Sequence, residues 1–314
     1  MLQKKDLFKI LVSLLILFSC SANKTKQLEN SFGSFDLYGN TIVFSYLNNS
    51  IGSLFIYSLT DNSCKQITKQ TFGRDNFPIF SSDGKQVLYV SYPNLDSKNG
   101  FINIINLDTK EIDTIIRNEP LLLEACFSKN NRFVYYLKAS EVSNYSPIAR
   151  QQPHGIDIFA IEISTKKTKQ ITSFQGYSLQ TLTKTYSDTL LAINNFEPDV
   201  MGMGLLSIND GKFVRYKFQN DPRHEVNSYY FPISVFQDSL LYLAPYEIYK
   251  HDFSKNESTL ILRCPNNQDF GQIRVDDNWS NLYFTKTSSG IFQYNILKKE
   301  LKQLTINIKN NYTQ

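Results

Sequence analysis

The sequence is poor in the residues from which metal centres and many catalytic sites are built. Its 314 residues include three histidines, four cysteines and one tryptophan. It contains no Walker loop, dinucleotide fingerprint, Gly-x-Ser-x-Gly nucleophile motif, His-Glu-x-x-His motif or Asp-x-Asp-x-Asp-Gly calcium loop. These absences argue against nucleotide binding, serine hydrolysis and zinc proteolysis. We expect neither a cofactor nor a bound metal.

Charge is scarce as well, and neither sign dominates. Asp, Glu, Lys and Arg make up 20% of the residues, and the formal net charge is +4. Without the first twenty residues, which hold three lysines and one aspartate, the net charge falls to +2. No cluster of basic residues indicates a nucleic-acid surface.

No apolar run is long enough to cross a bilayer. The run near the N-terminus covers residues 10–18 and follows Lys4, Lys5 and Lys9. A membrane-spanning helix needs about 20 apolar residues, so this segment predicts a cleaved signal peptide, residues 1–19.

The end of this segment, Leu17-Phe18-Ser19-Cys20, resembles a bacterial lipobox, although Phe18 stands where a small residue is usual. The resemblance implies a lipid on Cys20, and buried methylenes contribute about 0.8 kcal/mol each to membrane binding. We therefore expect a protein of the bacterial cell envelope that is lipid-anchored to a membrane, on the periplasmic side or the cell surface. The alternative is a soluble secreted protein that is cleaved near the same position.

The remainder of the chain divides into three parts. We expect residues 20–31 to hold the lipidated cysteine and a flexible tether, residues 32–306 the folded body, and residues 307–314 a C-terminal tail. The remaining cysteines are Cys64, Cys126 and Cys264, an odd number with no CxxC spacing. At most one disulfide can form among them, and the apolar surroundings of Cys64 and Cys126 favour buried thiols.

The body is rich in aromatic residues and in internal repeats. The whole chain holds 23 phenylalanines and 19 tyrosines, residues that favour β-strands, and nearly all of them lie in the body. The tetrapeptide Lys-Gln-Ile-Thr at residues 65–68 returns at residues 169–172 and, with leucine for isoleucine, at residues 302–305. The copies lie 104 and 133 residues apart, close to two and three units of about 44–52 residues. A period of this size is typical of β-propeller blades.

Strand patterns recur in the same register in every unit. The equivalent positions that end one strand of each unit are Leu59, Leu107, Ile163, Ile208, Phe253 and Ile296. A second strand is predicted in each unit at residues 41–46, 86–91, 133–138, 189–194, 239–244 and 281–286. With a strand before and a strand after these two, the sequence predicts an all-β protein: a six-bladed β-propeller of four-stranded antiparallel blades, with about 24 strands.

Two segments carry a family resemblance. Residues 78–90 (PIFSSDGKQVLYV) resemble the centre of a TolB-type propeller repeat, and residues 155–172 resemble its second half. Proteins with such repeats serve as interaction platforms of the envelope, as accessory domains of peptidases and occasionally as lyases. The resemblance therefore implies a TolB-like six-bladed propeller and leaves the function open.

Loop lengths point to one side of such a propeller. The loops between second and third strands and the connections between blades leave the ring on a common side, which we term the loop face. Long segments are predicted there at residues 92–100, 139–154, 196–203 and 219–227. The candidate binding residues on the loop face are Tyr92, Tyr145, Arg150, His154, Phe196, Arg223 and His224.

Two functions remain open at this point. The first is a non-enzymatic binding or scaffold propeller whose loop face meets another envelope protein or a ligand. The second is a polysaccharide- or peptide-processing enzyme that uses His154 and His224 with carboxylates such as Asp157 and Glu225.

Overall fold

The computed structural model describes residues 30–94, 97–144, 151–176, 178–195, 202–216, 230–244, 246–264, 270–286 and 290–308. The described residues form β-strands, turns and irregular segments, and none of them is helical. Within these ranges no helix has the length and apolarity to span a membrane.

The strands follow one another with short turns. In chain order they are β1 (Asn30–Tyr38), β2 (Thr41–Asn48), β3 (Ile51–Ser58), β4 (Cys64–Gln66), β5 (Arg74–Phe80), β6 (Gln86–Tyr92), β7 (Asn99–Asn106), β8 (Ile112–Pro120), β9 (Leu122–Phe127), β10 (Phe133–Lys138), β11 (Glu141–Asn144), β12 (Gln151–His154) and β13 (Asp157–Glu162). They continue with β14 (Thr168–Gln170), β15 (Leu179–Lys184), β16 (Leu190–Asn195), β17 (Gly202–Ser207), β18 (Phe213–Arg215), β19 (Phe231–Val235), β20 (Ser239–Ala244), β21 (Glu247–Asp252), β22 (Glu257–Arg263), β23 (Phe270–Val275), β24 (Asn281–Lys286), β25 (Ile291–Asn295) and β26 (Glu300–Gln303).

The sheets are built from strands that are neighbours in sequence, except that the hairpin of β11 and β12 lies between β10 and β13. Four antiparallel sheets have the orders β14-β13-β10-β9, β15-β16-β17-β18, β19-β20-β21-β22 and β23-β24-β25-β26. The first eight strands form one larger sheet, because a single parallel bridge between Gly52 and Arg74 joins β3 to β5. The strands predicted at residues 133–138, 239–244 and 281–286 coincide with β10, β20 and β24.

One predicted loop contains additional strands. Residues 139–154 were expected to be irregular, but β11 and β12 pair as an antiparallel hairpin in which Glu141 faces His154 and Asn144 faces Gln151. In the hairpin the backbone N–H and C=O groups of this insertion bond to each other, whereas in an irregular loop they would bond to water. The prediction of a single irregular loop was therefore wrong for the base of this segment.

The repeated tetrapeptide has a structural role in each copy. Its third residue donates its backbone N–H to a carbonyl thirteen residues earlier: Ile67 to Leu54 (2.8 Å), Ile171 to Ile158 (2.8 Å) and Leu304 to Ile291 (2.9 Å). In the first two copies the threonine hydroxyl also accepts the backbone N–H of that earlier residue, at 2.9 Å and 3.0 Å. The repeat therefore fastens the end of the fourth strand of a set to its third strand.

The first strands of successive four-strand sets are β1, β5, β9, β15, β19 and β23. Each of them contacts the next one, and β23 contacts β1, so these strands surround a common axis in a propeller-like arrangement. The circuit closes through side chains: Tyr283, Ile291 and Leu304 pack in one cluster with Phe35 and Phe44. In the described residues no strand is shared between the first and last sets.

Aromatic and aliphatic side chains fill the spaces between the sheets. Among the largest side chains that are almost wholly inaccessible are those of Phe35, Tyr57, Phe80, Phe127 and Tyr242. Each contributes roughly 1.5–3 kcal/mol when it leaves water on folding. The abundance of Phe and Tyr in the sequence is thus used to pack one sheet against the next.

Candidate functional site

A bulge recurs in the six first strands where they approach the axis. The pairing of each first strand with its second strand shifts register once, for example between Phe32 and Phe35 in β1 and between Gln180 and Thr183 in β15. A bulge removes backbone groups from the ladder. In this protein some of those groups bond to side chains of a neighbouring first strand.

The contact between β1 and β5 illustrates the arrangement. Ser34 Oγ donates to Asn76 Oδ1 at 2.6 Å and accepts the backbone N–H of Phe77 at 2.7 Å. Phe77 has a φ of 52°, a conformation that costs a bulky residue of the order of 1–3 kcal/mol. The bonds from Ser34 hold the bulge in this conformation.

Asp36 joins three first strands. Its Oδ1 accepts a hydrogen bond from Arg274 Nε of β23 at 2.5 Å, and its Oδ2 accepts the backbone N–H of Phe80 of β5 at 2.9 Å. Close by, Gln272 Oε1 accepts the backbone N–H of Phe35 at 2.6 Å. Because Asp36 is only 7% exposed, its charge depends on these donors, and the last set is tied to the first by a charged pair.

Glu124 brings a second carboxyl group toward the axis. Its Oε1 accepts the backbone N–H of Leu182 of β15 at 3.2 Å. Burial raises the pKa of this carboxyl to about 7, against the opposing effects of the Leu182 N–H, the charge of Arg274 and the backbone of Thr181. Arg274 belongs to β23, three first strands away in either direction around the circuit, so its field reaches Glu124 across the axial space.

Lys184 completes the group of axial charges. Its Nζ lies 3.5 Å from the carbonyl oxygen of Phe80, so the side chain extends from β15 past β9 to β5. We call Asp36, Glu124, Lys184 and Arg274 the axial cluster. Its formal charge is zero when Glu124 is ionised and +1 when Glu124 is protonated.

Comparisons with known proteins place this architecture. No protein-family model matches the sequence, and no curated protein matches it. Among solved structures, an oligogalacturonate lyase in complex with manganese is 12% identical, with a TM-score of 0.58 over 90% of this chain and 79% of the lyase chain. TolB from Acinetobacter baumannii is 14% identical, with a TM-score of 0.58 over 80% of this chain and 58% of the TolB chain. The acylaminoacyl peptidase of Pyrococcus horikoshii is 13% identical, with a TM-score of 0.54 over 90% of this chain and 47% of the peptidase chain.

The fold is a β-propeller. The chain spans little more than half of the TolB chain and less than half of the peptidase chain. At identities this low the likeness extends to the fold alone, since propellers host many unrelated functions.

Two of the predicted loop-face residues lie in the described part of the propeller. Tyr92 ends β6 and is only 9% exposed; its hydroxyl donates to the carbonyl oxygen of Leu122 at 3.0 Å, and the guanidinium of Arg74 lies 5.0 Å from the centre of its ring. Burial raises the pKa of this phenol. His154 ends β12 and is 6% exposed. Both side chains are therefore buried beneath the surface of the loop face. The predicted residues outside the described ranges are Cys20, Tyr145, Arg150, Phe196, Arg223 and His224.

Asp157, the carboxylate of the enzymatic alternative, is fully engaged in the propeller. Its Oδ1 accepts hydrogen bonds from Thr172 Oγ1 at 2.7 Å and from the backbone N–H of Phe174 at 2.6 Å. Its Oδ2 accepts from Gln170 Nε2 at 3.3 Å and from the backbone N–H of Gln175 at 3.4 Å. These donors hold the connection that follows β14, which is a structural role.

Metal ligands and reactive thiols do not cluster in the described part of the chain. No group of three or more His, Cys, Asp or Glu side chains there is arranged to hold a metal ion. Cys64 and Cys126 are free thiols, and burial raises the pKa of Cys64 to about 11. A thiol with a raised pKa is a poor nucleophile at neutral pH.

Proposed function

We propose that this chain is a lipid-anchored envelope protein whose body is a six-bladed propeller that acts as a non-enzymatic binding or scaffold module. Six first strands that contact one another in a closed circuit support the blade number, each followed by three further strands of its own set. On this proposal the bridge between Gly52 and Arg74 links two blades that are otherwise separate.

The observation that supports a rigid scaffold for binding is the polar bonding between first strands at the axis. Side chains of one first strand bond to the backbone of another at Asp36, Glu124 and Gln272, so polar groups are held in fixed positions where the strands converge. Preorganised polar groups lower the entropic cost of binding. The resemblance to TolB-type repeats supports an interaction role in the envelope, with another envelope protein or a ligand as the partner.

The proposed binding face remains the loop face, with Arg150 and Arg223 among its anchors and Tyr145, Phe196 and His224 beside them. Interfaces concentrate their energy in arginine and aromatic anchors. A pull-down from the native envelope should identify the partner. The double change Arg150→Ala and Arg223→Ala should then weaken binding by about 1 kcal/mol or more and leave the melting temperature nearly unchanged.

Lys298→Ala is the matched control, because Lys298 is an exposed cation on the opposite side of the propeller, in the turn between β25 and β26. It should leave binding unchanged. If Lys298→Ala weakens binding and the double variant does not, the binding face is on the opposite side.

The lipid anchor is tested separately. Replacing Cys20 with Ala should move the protein from the membrane fraction to the soluble fraction, because the lipid is the proposed attachment. A variant that remains membrane-bound under alkaline and high-salt washing would contradict the anchor.

The second candidate function is polysaccharide processing. The manganese-bound oligogalacturonate lyase, which this chain resembles over 90% of its length, favours it. The engagement of Asp157 by four donors counts against it. A stoichiometric divalent ion in purified protein, lost on changing His154 and His224 to Ala, would favour the enzyme.

A further inference from the structure

The chain enters the propeller on the loop face and beside the axis. Asn30, the first residue of β1, pairs with Asn48 at the end of β2, next to the turn that leads to β3. That turn belongs to the loop face. Because β1 is a first strand and contacts both β5 and β23, Asn30 lies near the centre of this face and away from its rim.

The distance from Cys20 to this entry point is limited. Nine residues separate Cys20 from Asn30. Ten successive residue steps span at most about 36 Å, even when fully extended. This limit holds whatever conformation these residues adopt.

The opposite side of the propeller lies beyond that limit. We call it the short-turn face; it holds the turns between first and second strands. A path from Asn30 to that face must cross from β1 to β4, three strand spacings or about 14 Å, and then descend the outer side of the sheet, whose depth measured along β1 is about 26 Å. The sum of about 40 Å, before side chains and lipid head groups are counted, exceeds the available chain.

Side chains narrow the axial space. The side chain of Arg274 meets Asp36 between β23 and β1, and Lys184 extends from β15 to the carbonyl oxygen of Phe80. A connection through the axis would have to displace these side chains, so the path around the outer strands is the one to compare with the length of the chain.

We infer that the loop face faces the lipid surface that holds Cys20 and that the short-turn face points away from the membrane. The inference rests on the proposed lipid at Cys20 and adds an orientation to it. It also defines the partner more closely, because a molecule that binds the loop face must approach along the membrane surface.

Two exposed lysines of one four-strand set provide a matched pair of probes. Lys98 precedes β7 on the loop face, and Lys85 lies in the turn between β5 and β6 on the short-turn face. We would introduce Lys98→Cys or Lys85→Cys into the full chain carrying Cys64→Ser. Cys126 and Cys264 are 1% and 3% exposed and should not react under native conditions. Each protein is labelled with a donor dye, and its lipidated form is reconstituted into vesicles that carry an acceptor dye on the lipid head groups.

We expect energy transfer at least two-fold greater from position 98 than from position 85. Equal transfer, or greater transfer from position 85, in vesicles that carry the protein would overturn the orientation and leave the anchor intact. Failure of the wild-type chain to float with vesicles, with no transfer from either position, would overturn both. Insertion of thirty Gly/Ser residues after Lys24 should reduce the difference between the positions. If the full difference persists, the short connection is not what orients the propeller.

Discussion

Changing Glu124 to Gln should make the protein more stable at alkaline pH and leave it nearly unchanged in acid. The pKa of Glu124 rises from 4.5 to about 7 on folding, because its surroundings desolvate the carboxyl group. Between these values the folded state binds more protons than the unfolded state. Stability therefore falls as the pH rises through this window. Above the window, burial of the ionised carboxylate lowers the free energy of unfolding by its full amount.

The size of the effect follows from the shift. A shift of about 2.5 units corresponds to at most about 3 kcal/mol at pH 8, and to less than about 1 kcal/mol at pH 5. The partial accessibility of Glu124 makes the first figure an upper bound. Glutamine keeps an oxygen that can accept the Leu182 N–H, so the change removes the charge with little loss of hydrogen bonding.

The measurement is urea denaturation of both proteins at pH 5 and pH 8. The control is Glu257→Gln, which removes an exposed carboxylate from β22 and should shift the midpoint little at either pH. Destabilisation of the Glu124 variant at pH 8, or an equal effect at both pH values, would show that the carboxylate is not desolvated at the axis.

Two further predictions concern the bonds that hold the sheets in place. Thr172→Val should lower the free energy of unfolding by about 1–3 kcal/mol, because the backbone N–H of Ile158 in the third strand loses its acceptor. Thr305→Val, at the exposed threonine of the third repeat, should have almost no effect. Arg274→Ala should cost about 2 kcal/mol or more because Asp36 stays buried, while Lys166→Ala, whose partner Asp113 has a 58% exposed side chain, should cost below about 1 kcal/mol. Thermal melting compares each pair, and equal shifts within a pair would contradict the assigned role of the buried member.

Local periodicity was sufficient to predict most strands. The alternating runs at β10, β20 and β24 coincide with the predicted ranges, and β16 is displaced by one residue from residues 189–194. The hairpin of β11 and β12 was missed, because its residues are mostly polar and show no alternation of apolar side chains. Strands that are not half buried leave little trace in a sequence.

The axial cluster was not predicted, although Glu124 stands within the mostly apolar strand β9. Such an isolated charge is a usable signal, because an apolar strand tolerates a charge only where a partner or water meets it. The identity of the partner could not be inferred, since Asp36 and Arg274 lie 238 residues apart. Periodicity reports what lies along a strand, whereas these contacts join strands from different sheets.

The closure of the ring has a consequence for how the chain could be rearranged. Phe32 near the start of the described chain and Ile308 at its end pack against the same hydrophobic cluster, and in the described residues each sheet lies within its own stretch of the chain, where the stretch from β9 to β14 also holds the hairpin of β11 and β12. Joining these two ends and opening the chain at an exposed connection between two sheets would preserve every strand pairing. The propeller therefore has the topology of a circularly permutable protein, in which any sheet can come first.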